Sequence, residues 1–179
     1  MVAAFLITAT VAGCTSNDRP SDPIAVRISP IKSSVPIKWD PCTEVADVTV
    51  RELGFDPSTR RRETYRNDEE TTTGCRFTRI VQDEVAENRA ELGWLTVIAS
   101  TVALDRLRNT ISDESDTSIN GRPGITIPDL SGYSCNTTMS GPDGTIAVRL
   151  GAMPGETWRP CDQIENAALV VESTLPQSF

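Results

Sequence analysis

The sequence contains no histidine. Without an imidazole, neither a Ser-His-Asp triad nor a Cys-His pair can form. No His-ligated zinc, copper or haem site can be built. Any catalysis would have to use carboxylates, Lys or Tyr. There is no C-x-x-C pair, which argues against a zinc ribbon or a thioredoxin-like motif. Basic residues are outnumbered: 17 Lys and Arg stand against 25 Asp and Glu, a net charge of −8. Such a surface repels phosphate backbones and anionic lipid surfaces. No RNP-type, zinc-finger or helix-turn-helix pattern argues the other way, so no nucleic-acid partner is expected. A long hydrophobic run is also missing. The uncharged stretch VAAFLITATVA, residues 2–12, falls well short of the about 20 residues that a membrane-spanning helix needs.

That short run does have the length of the apolar core of a signal peptide. It ends in Val11-Ala12-Gly13-Cys14, which resembles a lipobox: small residues before a cysteine. The resemblance implies diacylglyceryl transfer to the Cys14 sulfur and cleavage just before it. Residues 1–13 are therefore expected to be a lipoprotein-type signal peptide. Met1-Val2-Ala3 carries none of the Lys or Arg that opens such a peptide, and the true start is expected upstream. The alternative is that residues 2–12 form a buried strand and Cys14 is a plain thiol. Residues 14–37 hold Pro20, Pro23, Pro30 and Pro36 among Ser and Asp. Proline removes a donor and sets φ, which excludes helix. The segment reads as the lipidated cysteine and a tether, with an edge strand over 24–31 as the other possibility.

The remaining length, residues 38–179, suits one domain. At this size a chain buries roughly 68–70% of the surface it exposes unfolded. Asp40-Pro41-Cys42 marks a helix start, with Asp as cap and Pro at the first position. Val45, Ala46, Thr49 and Leu53 then recur at helical spacing up to Gly54, a C-terminal cap. Residues 60–70 are highly charged and aperiodic and read as a loop. Residues 75–81 alternate apolar and polar, as a half-buried strand does. Residues 92–102 are rich in β-branched side chains and read as a buried strand. A short helix is expected over 103–109, an acidic loop over 112–118 and an extended stretch around Pro123 and Pro128. Residues 133–140 and 145–150 flank Ser140-Gly141-Pro142-Asp143-Gly144, a hairpin turn. Pro160 starts a last helix, with Cys161, Ile164, Ala168, Val171 and Leu175 in one stripe. The expected order is α-β-β-α-β-β-β-α. Short links between strands favour antiparallel pairing. The fold class is thus α+β: a single domain with a mainly antiparallel sheet and helices packed on one face.

Five cysteines are present. Cys14 is assigned to lipid. Cys42, Cys75, Cys135 and Cys161 form an even set, which in an exported domain reads as two disulfides. Trp39-Asp40-Pro41-Cys42-Thr43-Glu44-Val45 echoes Trp158-Arg159-Pro160-Cys161-Asp162-Gln163-Ile164. Convergence on one way of starting a helix explains the echo as well as duplication does.

The lipobox, the Asp-Pro-Cys helix start and Gly74-Cys75-Arg76-Phe77 together resemble the actinobacterial lipoprotein family called domain of unknown function 3558. Its members show Asp-Pro-Cys, then Cys followed by Arg and an aromatic, then two later cysteines before a C-terminal helix. The likeness spans about residues 39–176 and implies location and fold rather than an activity. Of the three connectivities open to four cysteines, it implies Cys42 with Cys75 and Cys135 with Cys161, each tying a helix start to a strand.

Other motifs are weak. Asp113, Glu114 and Asp116 could hold Ca²⁺, but the EF-hand glycine and terminal Glu are missing, and a solvated loop is the simpler account. Asp68, Glu69 and Glu70 have the same standing. Asn136-Thr137-Thr138 reads as a strand segment, and Trp94 and Trp158 as core anchors. Asn120-Gly121-Arg122-Pro123-Gly124 reads as a turn, since a phosphate loop would need a following helix. No catalytic residue, metal or cofactor is expected. The reading carried forward is a lipid-anchored lipoprotein on the outer face of the cell membrane, a non-enzymatic module binding an unidentified envelope ligand or protein. A structural or accessory envelope protein without a small ligand is the alternative. A carboxylate-based hydrolase stands behind both.

Overall fold

The computed structural model describes residues 36–66, 70–83, 88–112, 114–129 and 131–177. The expected signal peptide, Cys14 and the tether up to residue 35 lie outside the described residues. Asp40 does cap the first helix: its Oδ1 accepts from the Cys42 amide at 2.9 Å, and Pro41 opens the first turn. The single helix expected up to Gly54 is broken, however. Helix α1 covers Pro41–Glu44, Val45 is extended, and α2 covers Asp47–Glu52. The cause is Arg60. Its guanidinium donates to the carbonyls of Cys42 and Val45 and pairs with Asp47 at 2.5 Å, taking those carbonyls out of a helical ladder. Gly54 ends α2 at φ +82°, the left-handed conformation a helix cap requires.

Seven strands form one antiparallel sheet: β1 (Asp56–Arg66), β2 (Thr71–Asp83), β3 (Asn88–Ser100), β4 (Ser115–Ile119), β5 (Arg122–Pro128), β6 (Ser134–Gly141) and β7 (Gly144–Ala152). Their spatial order is β1-β2-β3-β7-β6-β5-β4. Helix α3 (Leu104–Arg108) follows β3. A short 3₁₀ turn (Pro160–Asp162) precedes α4 (Ile164–Glu172), so Pro160 starts a turn that leads into the last helix. The α+β architecture matches expectation, with two strands added. They are β1 and β4, the two edges of the sheet. An edge strand needs no apolar alternation, and charge along it blocks pairing with another chain. Arg60, Arg61, Arg62 and Glu63 in β1, and Asp116 in β4, follow that rule.

Alternation sets the core. Cys75 and Phe77 of β2, Leu95, Val97 and Ala99 of β3, Ile146, Val148 and Leu150 of β7, and Cys135 and Met139 of β6 turn to one face. There Trp39, Val45, Val50, Phe55, Ile164, Ala168, Val171 and Leu175 meet them. Burying a side chain such as Phe77 or Leu95 stabilises the fold by about 2 kcal/mol relative to exposure. The β6–β7 turn also holds the domain's first residues, because Asp143 Oδ2 accepts from the amides of Lys38 and Trp39 at 2.9 and 3.0 Å. The β4–β5 link is Asn120-Gly121 with φ +49° and +83°, both positive as a two-residue hairpin turn demands.

Helix α3 does not join the other helices. It lies over the opposite face of the sheet, where Ile125 of β5 is fully buried and Leu104 nearly so. Helices on one face only were expected. The arrangement seen follows from Ile125 and Ile127, which share a face with Thr138 and Asn136 of β6 and need cover of their own.

Candidate functional site

Both disulfides form, Cys42–Cys75 and Cys135–Cys161, with Cα separations of 4.9 and 5.1 Å. Each ties the turn opened by a W-x-P-C segment to a strand. Strands β2 and β6 flank the central pair β3 and β7 on either side, so one staple holds each half of the sheet. The two segments differ in detail: Asp40 caps the first, whereas Arg159 makes no side-chain cap for the second.

The face of the sheet away from the core carries a groove of about 640 Å³. Its floor is made by residues that alternate with the core positions: Ile98 and Ser100 of β3, Thr145, Ala147 and Arg149 of β7, Asn136 and Thr138 of β6. Leu107 of α3 and Ile111 just after it add apolar side chains to one side, and Ile127 of β5 lies beside them. Trp94 contributes its indole. Its ring is covered by the Arg76 guanidinium, 4.8 Å from the ring centroid. Trp94 is therefore no core anchor. Trp158, on the other face, does pack against the core, edge-on to Phe55 with ring centroids 6.2 Å apart.

One polar row crosses five neighbouring strands on the groove face. Arg76 pairs with Thr96, Thr96 with Arg149, Arg149 with Asn136, and Asn136 with Ile127. Directly opposed residues share a face and touch. Among the described residues the Arg149 guanidinium has no carboxylate or carbonyl partner. Asn136 Oδ1 is buried and accepts no hydrogen bond. A buried acceptor left unpaired costs about 1–3 kcal/mol, so this carboxamide is unsatisfied until something donates to it. The groove also holds one carboxylate, Asp129. Its Oδ1 accepts from the Ser131 amide at 3.1 Å; its Oδ2 accepts from the hydroxyls of Ser131 and of Ser134, the latter at 3.1 Å. Those bonds, the Ser131 hydroxyl first, hold its pKa below the usual carboxylate range, so it stays ionised with its acceptors engaged.

The described members of the acidic clusters include two that are taken up by ion pairs. Asp116 pairs with Arg108 at 2.9 Å and Glu70 with Arg106 at 3.2 Å; Asp113, Asp68 and Glu69 lie outside the described residues. Among the described residues no three Cys, Asp or Glu side chains gather to hold a metal ion. Among the described residues the most buried ion pair is elsewhere. Arg122 Nε donates to Glu172 Oε1 at 2.6 Å, and Asn120 Nδ2 to Glu172 Oε2 at 2.7 Å, joining the end of α4 to the β4–β5 turn.

Neither Arg149 nor Asn136 stood out in the sequence. Arg149 looks there like any exposed arginine on a strand, and Asn136 like part of a plain strand segment. The polar row exists only through pairing between strands far apart in the chain.

A family model described as "Protein of unknown function (DUF3558)" matches residues 9–174. No curated protein matches the chain, and no solved structure does.

Proposed function

Since the chain belongs to the DUF3558 family of proteins of unknown function, we propose that it is a lipid-anchored extracytoplasmic lipoprotein of an actinobacterial envelope whose domain binds a ligand in the groove under α3. The observation that carries this reading is the groove itself. Its volume falls in the range of about 300–1,000 Å³ typical of ligand sites. Its lining mixes apolar side chains with a few convergent polar groups, two of them unpaired. A filled face would instead have pointed to an accessory protein with no small ligand.

The anchor is argued from the sequence. Cys14 follows Val11-Ala12-Gly13, and two disulfides suit an oxidising compartment. Among the described residues no helix is long and apolar enough to cross a membrane. Two acyl chains give stable anchoring, at about 0.8 kcal/mol per buried methylene.

The charged groups favour binding over catalysis. Asp129 is held ionised by three donors, and Glu172 is committed to Arg122 and Asn120. Neither is poised to exchange a proton near neutral pH.

Mass spectrometry of the full chain extracted from its own membranes tests both parts. Under denaturing conditions the expected species begins at an acylated Cys14. Under native conditions it carries an added mass that denaturation releases. A soluble product retaining Met1 overturns the anchor, and protein free of any retained mass counts against the binding module.

A further inference from the structure

If the groove is a binding site, as proposed above, its chemistry defines the class of ligand: we propose that it takes a single-chain amphiphile with an anionic head group, the head at Arg149 and Asn136 and the chain along Ile98, Leu107, Ile111 and Ile127. The chain as a whole carries −8, and ion pairs occupy most of the cations on the sheet and helices. Arg60 is paired with Asp47, Arg62 with Asp40, Arg108 with Asp116, and Arg122 with Glu172. Arg149 is not, although it lies in the groove wall.

Arg76, the next cation in the same cross-strand row, has the face of Trp94 as its partner and no carboxylate. Two strand spacings separate the two arginine backbones, about 10 Å, with Thr96 between them. The Arg76 guanidinium is held over Trp94, which lines the groove, so it adds positive charge at the groove's edge beyond the unpaired Arg149. The one carboxylate in the groove, Asp129, accepts from Ser131 and Ser134 and makes no ion pair with either arginine. Asn136 stands beside Arg149 in the same row, on the groove floor.

Beside the hydroxyls of Ser100, Thr138 and Thr145, the groove carries an apolar strip. Ile98, Leu107, Ile111, Ile127 and Ala147 offer no hydrogen bonds. An inorganic anion alone would leave this surface wet, and an uncharged hydrocarbon would leave Arg149 and Asn136 without partners. An amphiphile satisfies both ends.

Calorimetric titration of the full chain with three probes tests this, each kept below its micelle concentration. The probes are dodecyl phosphate, dodecyl maltoside and inorganic phosphate. Dodecyl phosphate is expected to bind at one site, at least about tenfold more tightly than either of the others. Arg149→Gln should weaken dodecyl phosphate about tenfold and leave dodecyl maltoside unchanged, whereas Arg149→Lys, which keeps the charge, should retain most of the affinity. Arg149 is exposed, so neither variant threatens the fold, and circular dichroism checks that. Equal affinity for dodecyl maltoside overturns the anionic class while leaving the groove a binding site. Equal affinity for inorganic phosphate overturns the amphiphile. If no probe binds, the assignment of class fails, and the binding module then stands or falls on the retained mass described above.

Discussion

The indole of Trp94 lies against the bare backbone of Gly151. A Cβ built on that glycine would sit 2.2 Å from the ring. The two residues are cross-strand partners on β3 and β7. One position along, Gly93 makes the same kind of seat for Trp158 on the other face, where a Cβ would lie 2.7 Å from that ring. Two adjacent glycines thus set a tryptophan on each side of the sheet, one facing the groove and one facing the core.

Gly151→Ala should therefore displace Trp94 from its place under Arg76. A backbone-flanked methyl at that distance has to be accommodated by moving the ring, at an expected cost of about 1–3 kcal/mol. Thermal unfolding should show the loss, and fluorescence should shift as the indole leaves its site. Unchanged stability with unchanged Trp94 emission would contradict the seat described here.

The two disulfides should contribute separately. Cys42–Cys75 closes a loop of 33 residues and Cys135–Cys161 one of 26. In the chain-entropy account each stabilises the fold by about 3.5 kcal/mol. Replacing both cysteines of one pair with alanine should lower the guanidinium midpoint by a matching amount. The drop should be larger for Cys42–Cys75, whose Cys75 is fully buried and leaves a cavity. A change below about 1 kcal/mol for either pair would show that the staple contributes little beyond local packing.

Glu172 should impose a pH dependence on stability. Burial alone would raise its pKa. Hydrogen bonds from Arg122 and Asn120, together with the Arg122 charge, outweigh burial and bring it below the ordinary 4.5. A carboxylate whose folded pKa is depressed stabilises the fold above its unfolded pKa, and that contribution is lost as pH falls through the folded value. Stability should thus decline on acidification below about pH 4.5, and Glu172→Gln should remove that part of the slope. At neutral pH the substitution removes the buried Arg122–Glu172 ion pair and should cost about 3 kcal/mol. Denaturation curves at pH 7 and pH 3.5 would check both; a wild-type slope retained in the variant would assign it to other carboxylates.

Much of the architecture was readable before any coordinates. The Asp-Pro-Cys start, the Asn120-Gly121 turn, the Pro142-Asp143 hairpin between β6 and β7 and the alternation in β2 are local signals, carried by a few neighbouring residues. The edge strands β1 and β4 were not readable, because a strand with one free side and little buried surface has no apolar alternation to betray it. The break between α1 and α2 was hidden for a related reason. It depends on Arg60, whose guanidinium reaches back to the carbonyls of Cys42 and Val45 from the following strand.

The sequence by itself determined the α+β class, the set of four cysteines available for staples, the acidic surface and the thiol at Cys14 offered for an anchor. Each of these is a property of residue types and short spacings. Only the tertiary structure decided where a ligand could sit. The groove is made by putting Ile98, Ala147 and Thr138 in one row across three strands, with Arg149 and Asn136 in the next, and by sending α3 to the opposite face from the other helices. Both depend on strand register and on which side each loop crosses, and those are settled by burying the whole core at once.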